Sequence, residues 1–249
     1  MNTRDLSCLF GSCVLSISPL PILASEFKKG PYLTGGIGVN YTGIPTVEYS
    51  QTSTGDDVTE PTLSKLTGSA VTGSSVSGEV GFGYDFGRNY RAELTYIRNN
   101  VGIQSFTGSV TEINESISFS YTPSSGLSTN SVFVSVYYDL PSRSTITPYF
   151  GVGLGYTSVS ISQLITIGSE SESINTLGYL GKIGLSYSAS KMSDLYLEGV
   201  YQGNTGSTTD YSQIKNSSNS GFSSASKSAT YSPLNSVSVR AGIRLRFGK

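Results

Sequence analysis

The feature of this chain that most restricts its fold is a two-residue alternation of apolar and polar side chains. Between residues 236 and 247 every second residue is apolar, and the residues between them are Ser, Gly or Arg. Successive side chains of a β-strand point to opposite faces, so this segment predicts a strand with one apolar and one charged face. Such a strand suits a wall between lipid and a polar interior, although a soluble β-sandwich could also use it.

The same alternation recurs in seven further segments, which brings the number of predicted strands to eight. These segments cover residues 32–41, 76–85, 90–96, 131–139, 149–156, 177–187 and 195–202. Bacterial outer-membrane barrels have an even number of strands. Tyrosines near the strand ends, on the apolar faces, predict two aromatic girdles at the lipid interfaces. They are Tyr41, Tyr84, Tyr90, Tyr96, Tyr138, Tyr156, Tyr187 and Tyr201.

The connections between the predicted strands alternate between short and long. Short turns lie near 87–89, 141–145 and 189–194, and long segments cover 46–71, 105–126, 161–175 and 206–233. Short periplasmic turns and long external loops are typical of a membrane barrel. The long segments are rich in Ser, Thr, Gly and Asn, which predicts mobile loops. We therefore predict an all-β fold, an eight-stranded antiparallel up-and-down transmembrane β-barrel with both mature termini in the periplasm.

The N-terminal segment has the layout of a secretory signal peptide. A polar start with Arg4 precedes an apolar stretch from Leu6 to Ile17, and a small-residue site follows at Ala24. A transmembrane anchor, the alternative, needs about 20 predominantly apolar residues, and this stretch is shorter. Lipid modification of Cys13 is a weaker alternative. We expect residues 1–24 to be removed, which leaves a barrel domain over residues 25–249 without cysteine.

Composition argues against several function classes. The chain has no His, so the usual general base and the usual metal ligand are missing, and we predict no enzyme, catalytic residue, cofactor or metal site. The formal net charge is −1, so no basic excess is available to neutralise nucleic-acid phosphates. An outer-membrane lipid hydrolase or acyltransferase would need an unusual catalytic set. A soluble carrier of the lipocalin type would need an apolar interior and a polar exterior.

The polar faces of the predicted strands hold six charged residues that would lie inside the barrel. An isolated buried charge costs several kcal/mol to desolvate, so these residues must pair. Because side chains largely fill an eight-stranded barrel, we predict a structural ion-pair network in the lumen. A gated ion path lined by both signs of charge is the alternative. The six residues are Glu79, Glu93, Lys182, Glu198, Arg240 and Arg244.

Several segments resemble the outer-membrane β-barrel family, which includes proteins similar to the transmembrane domain of outer-membrane protein A, opacity proteins and bacterial surface antigens. The segments are 30–36, 78–85 and 147–155. The resemblance implies location in the bacterial cell outer membrane and contact with its lipid. The end of the chain is similar to the last strand that the barrel-assembly machinery reads, which implies that Phe247 is the assembly signal. Here Gly248 and Lys249 follow it, whereas the family usually ends on the aromatic residue.

The resulting expectation is a non-enzymatic outer-membrane surface protein with a largely plugged polar lumen and long exposed loops, in a structural or contact role. The alternative is a narrow pore for ions or very small solutes. An external ligand or a host-surface contact through the loops stays open, because no motif in the loops identifies one.

Overall fold

The computed structural model describes residues 29–43, 46–54, 62–112, 115–121, 127–161, 172–216 and 222–247. Within these ranges the chain forms fourteen β-strands and no helix. This part of the chain therefore contains no helix that could span a membrane. The predicted signal peptide, residues 1–24, lies outside the described residues, and its removal stays a prediction.

Eight of the strands form a closed antiparallel barrel, and the other six form a separate sheet. In chain order the strands are β1 (Gly30–Thr42), β2 (Thr46–Thr54), β3 (Thr62–Thr72), β4 (Ser74–Asp85), β5 (Tyr90–Val101), β6 (Ile103–Glu112), β7 (Glu115–Tyr121), β8 (Leu127–Asp139), β9 (Ile146–Ile161), β10 (Glu172–Ser188), β11 (Ser193–Asn204), β12 (Ser207–Asn216), β13 (Phe222–Tyr231) and β14 (Asn235–Arg246).

The barrel strands follow one another around the ring in the order in which they occur along the chain. The ring runs β1, β4, β5, β8, β9, β10, β11 and β14, and β14 closes it by pairing with β1. That closing ladder extends from Thr42 opposite Ser236 to Tyr32 opposite Arg246. The predicted eight-stranded antiparallel up-and-down barrel is confirmed. Closure leaves no free strand edge in the wall, as a lipid environment requires.

The two faces of the wall differ as the alternation predicts. On β8, for example, Val134 is 64% exposed and the next residue, Ser135, is 1% exposed. Most outward positions in the middle of the wall are occupied by Val, Leu, Ile or Phe, so a continuous apolar belt surrounds the barrel. Outward tyrosines border the belt at both ends, among them Tyr90 and Tyr201. An exposed belt of this kind is stable only when lipid covers it.

The three short connections lie where the sequence predicts them. Residues 86–89 join β4 to β5, residues 140–145 join β8 to β9, and residues 189–192 join β10 to β11. In the first turn Gly87 and Asn89 have φ angles of 73° and 67°, in the left-handed region that Gly and Asn tolerate best. All three turns lie at the same end of the barrel, which we call the turn side; the opposite end is the loop side.

The prediction that the long segments are mobile loops is wrong for three of the four. Segments 46–71, 105–126 and 206–233 contain three hairpins that join into a six-stranded sheet with the order β12, β13, β2, β3, β6 and β7. Each hairpin continues two neighbouring barrel strands beyond the wall, and Thr and Val in these segments favour strands. In the fourth segment residues 162–171 lie outside the described residues, and β9 and β10 reach Ile161 and Glu172 on either side.

Candidate functional site in the barrel interior

A cluster of four charged side chains bridges the middle of the barrel. Glu79 Oε2 lies 2.8 Å from Lys182 Nζ and 2.9 Å from an Arg240 Nη1 atom. Lys182 Nζ also lies 3.0 Å from Glu198 Oε1. Glu79 is on β4 and Lys182 on β10, which are four strands apart in either direction around the ring. The ion pair between them therefore joins opposite walls.

Arg240 reaches Glu79 by crossing over a glycine. The two residues are on β14 and β4, and β1 runs between these strands. A Cβ atom placed on Gly38 of β1 would lie 2.7 Å from Arg240 Cγ, so any larger residue there would collide with the arginine stem. Beyond Gly38 the guanidinium donates from Nε to Ser77 Oγ at 3.0 Å. Because Gly38 has no side chain, Arg240 can pass over β1 and contact Glu79.

Buried tyrosines supply further hydrogen bonds to the carboxylates. The Tyr196 hydroxyl donates to Glu79 at 2.8 Å, and the Tyr149 hydroxyl donates to Glu198 at 2.8 Å. The rings occupy space left by inward glycines. A Cβ atom on Gly184 would lie 2.6 Å from Tyr149 Cζ. The inward glycines thus leave space for bulky lumen side chains, and Gly151 likewise faces a lumen tyrosine.

Two of the six predicted lumen residues lie outside this cluster. Glu93 accepts hydrogen bonds from the Tyr137 hydroxyl at 3.1 Å and from the Thr95 hydroxyl at 2.7 Å. Within the described chain it has no cation within 4 Å. Arg244 lies nearer the turn side, 3.7 Å from Asp194, with its guanidinium carbon 5.3 Å from the centre of the Tyr32 ring. The structure therefore brings together Glu79, Lys182, Glu198 and Arg240, and separates Glu93 and Arg244 from them.

A second group of ion pairs closes the turn side, and the sequence analysis did not include it among the candidates. Arg91 donates to both carboxylate oxygens of Asp139, at 2.7 and 2.8 Å. Arg246 contacts Asp85 and Asp194, each at 2.6 Å. The available signal was the same two-residue spacing, because Asp85 stands three alternations after Glu79 on the same strand face. Asp85, Arg91, Asp139 and Arg246 stand on the polar faces of the predicted strands, and only Asp194 falls in a predicted turn.

Apolar layers also block the lumen. Ile97, Phe133 and Leu180 form one buried cluster inside the barrel. A second cluster at the loop side contains Val101, Ile103, Leu127 and Val159, with Leu234 packed against it. These residues occupy inward positions that the alternation assigns to the polar face, which is why the sequence analysis did not single them out.

The order of inward residues along β5 gives the sequence of layers through the lumen. From the turn side it runs Arg91, Glu93, Thr95, Ile97, Asn99 and Val101. A cavity of about 330 Å³ opens at the turn side beside the ion pairs of Asp85 and Asp194. On the loop side of the Ile97 cluster, a cavity of about 20 Å³ lies beside Asn99 and Gln202, which is room for about one water molecule. The ion-pair cluster and the Ile97 cluster separate these two cavities.

The described residues contain no group of three or more His, Cys, Asp or Glu side chains placed to hold a metal ion. The interior consists of paired charges, tyrosine hydroxyls and apolar side chains. Its chemistry suits a rigid polar core inside a lipid-facing wall, because each charge that the lumen buries has a partner or a hydrogen bond.

The family model described as surface antigen matches residues 98–247 of this chain, which span β5 to β14. The chain belongs to the surface antigen family. Its apolar belt and closed barrel place it in the bacterial outer membrane, in contact with lipid. No curated protein matches the chain.

Solved outer-membrane proteins include several with similar chains. Neisserial surface protein A (NspA) is 16% identical, with a TM-score of 0.47, over 84% of this chain and 97% of that one. The outer membrane protein OprG from Pseudomonas aeruginosa is 15% identical, with a TM-score of 0.45, over 89% of this chain and 98% of that one. Ail, the attachment invasion locus protein of Yersinia pestis, is 10% identical, with a TM-score of 0.35, over 87% and 99% of the two chains.

Proposed function

We propose that this protein is a non-enzymatic surface protein whose barrel is a closed membrane anchor for the six-stranded sheet that continues it. The observation that carries the proposal is the contact of Glu79 with Lys182 and Arg240, which ties opposite walls together through buried charges. A permeating ion would have to separate these charges, and breaking a buried pair costs about 3–5 kcal/mol.

The Ile97 cluster adds a second barrier to ion flow. Ile97 and Phe133 are both fully buried, and Leu180 packs with them. An ion that enters an apolar constriction loses its hydration shell and gains no partner, so such constrictions block conduction. The alternative function, a narrow pore for ions or very small solutes, would need a rearrangement of both layers.

A non-enzymatic role follows from the residues available for chemistry. The whole sequence has no His, and residues 25–249 have no Cys, so proton transfer and nucleophilic attack would depend on carboxylates and tyrosines. Within the described lumen, Glu79 and Glu198 are each held by Lys182 and by a tyrosine hydroxyl. Carboxylates held in this way stabilise a core.

Two further parts of the proposal concern biogenesis. We assign residues 1–24 as an export signal that is cleaved, and Phe247 as the residue that the barrel-assembly machinery reads. Phe247 faces outward and its backbone N–H donates to the Pro31 carbonyl at 3.0 Å, so the end of β14 is held beside the start of β1.

We propose the six-stranded sheet as the surface for contact with an external partner, whose identity the described side chains do not specify.

Single-channel recording tests the closed lumen. The unmodified protein, refolded into a planar bilayer, should give no steady conductance. A Glu79→Ala/Phe133→Ala variant removes one member from each blocking layer and should give small openings. These openings would show that the recording can detect conduction through the lumen of this barrel. Steady conductance of the unmodified protein through single barrels would overturn the proposal in favour of the narrow pore.

A further inference from the structure

Among the residues that the structure describes, the exposed charges on the turn side of the barrel are all of one sign. Each short turn holds one exposed basic residue: Arg88 between β4 and β5, Arg143 between β8 and β9, and Lys191 between β10 and β11. Lys29, also exposed, precedes β1 and lies beside the first turn, where a Cβ atom on Gly87 would be 3.2 Å from its Cβ. The three turns contain no acidic residue. We call these four basic residues the turn-side ring.

The acidic residues that the structure describes near this ring are not free to neutralise it. Asp85, Asp139 and Asp194 lie inside the mouth of the barrel, where they pair with Arg91 and Arg246. None of the four ring residues has an ion-pair partner within 4 Å in the described ranges. The positive charge of the ring is therefore available to a partner outside the barrel.

Aromatic side chains on the lipid-facing surface set the depth of the ring. Tyr84 and Phe86 stand beside the first turn with ring centres 5.2 Å apart. Tyr138 contacts both Tyr90 and Phe150, at 5.1 and 5.6 Å between ring centres. Aromatic girdles lie at the level of lipid headgroups, so basic residues immediately beyond this girdle lie at the level of the phosphates.

We propose that the turn-side ring binds the phosphate groups of anionic phospholipids in the leaflet that surrounds this end of the barrel. The basic residues are spread around the circumference, because the three turns are separated by two, two and four strands around the ring, and Lys29 precedes β1 within the widest gap. A soluble polyanion would be expected to meet charges gathered on one face, whereas lipids surround the wall. This inference goes beyond the closed anchor, since it concerns the outer rim and not the lumen.

Fluorescence quenching offers a direct test, because the chain has no Trp. Phe86→Trp places a single reporter beside Arg88, at a position that is 51% exposed on the lipid face. Vesicles of phosphatidylcholine and phosphatidylglycerol are prepared with brominated chains on one lipid or the other. One basic residue at a membrane surface favours an anionic lipid about fivefold. We therefore expect phosphatidylglycerol to contact the reporter about two- to fivefold more often than its share of the mixture.

Two controls make the result specific. A reporter in the opposite girdle, Tyr201→Trp, should show no preference between the lipids. In the Phe86→Trp background, Lys29→Gln/Arg88→Gln/Arg143→Gln/Lys191→Gln should remove the preference, and Arg88→Lys/Arg143→Lys should retain it. Heat-modifiable gel mobility confirms that each variant is folded, and higher salt should weaken the preference.

Three results would overturn the proposal. The first is a preference that persists in the variant with all four ring residues replaced by Gln, and the second is an equal preference at the Tyr201→Trp reporter. The third is loss of the preference on adding millimolar glycerol phosphate, which would mean that the ring binds a free phosphate group and not the lipid leaflet.

Discussion

Neutralising Glu79 removes the one carboxylate of the central cluster that contacts two cations. In Glu79→Gln, Lys182 keeps Glu198 as a partner at 3.0 Å. Arg240 keeps only its hydrogen bond to Ser77, and its second terminal nitrogen already has no hydrogen-bond partner among the described residues. In the matched variant Glu198→Gln, both cations keep Glu79. The two substitutions remove the same charge from the same lumen, but only the first leaves a cation unpaired.

For this reason the two substitutions should lower the free energy of unfolding by different amounts. Leaving a buried charge without its partner costs about 3–5 kcal/mol, which we expect for Glu79→Gln. Glu198→Gln weakens hydrogen bonds to Lys182 and Tyr149 without stranding either group, and hydrogen bonds to charged groups contribute about 1.5–3 kcal/mol. We therefore expect Glu79→Gln to lower the free energy of unfolding by about 2 kcal/mol more than Glu198→Gln.

Urea unfolding in phospholipid vesicles, followed by heat-modifiable gel mobility, measures both free energies. A Glu79→Leu/Arg240→Met variant serves as the control, because replacing a complete buried pair with apolar residues is often neutral or stabilising. Equal costs for the two Gln variants, or a larger cost for Glu198→Gln, would refute the role of Glu79 as the shared carboxylate. A double variant no more stable than Glu79→Gln would show that Arg240 is not the stranded group.

Three further substitutions test the wall, the lumen and a turn, each by the same unfolding measurement. Val134→Arg should cost about 2–4 kcal/mol, whereas Asn100→Arg, outward but at the loop-side end, should cost about 0–1 kcal/mol; equal costs would contradict the assigned lipid depth. Phe133→Ala should cost about 3–5 kcal/mol if the Ile97 cluster is as tightly packed as its burial indicates, and a cost under about 1 kcal/mol would mean a loose lumen. Asn89→Val should cost about 1–3 kcal/mol because of the positive φ at this position, while Asn89→Gly should be tolerated; identical behaviour would argue against that backbone conformation.

The barrel could be predicted from the sequence because its signal is local. A strand such as β14 shows its two faces in twelve consecutive residues, and repetition of the pattern with alternating short and long connections leaves few other folds. The six-stranded sheet was missed because its strands are rich in Ser and Thr, so composition indicated loops. In β6, for example, Phe106 and Val110 stand among Ser, Thr and Gly, and alternation among mostly polar residues gives almost no contrast between faces.

Which charged residues face the lumen could be predicted from the sequence, but which of them pair could not. Spacing by two residues identifies which charges face inward, and the same rule extends to the overlooked ion pairs at the turn side. Partner choice depends on the whole barrel: Glu198 and Arg240 stand opposite each other in the register of β11 and β14, yet they do not pair. Arg240 instead crosses the bare backbone at Gly38 and shares Glu79 with a lysine from the far wall. Such contacts depend on closure of the barrel and on the lack of a side chain at Gly38 on the neighbouring strand. Neither feature can be recognised from the sequence around the residues that pair.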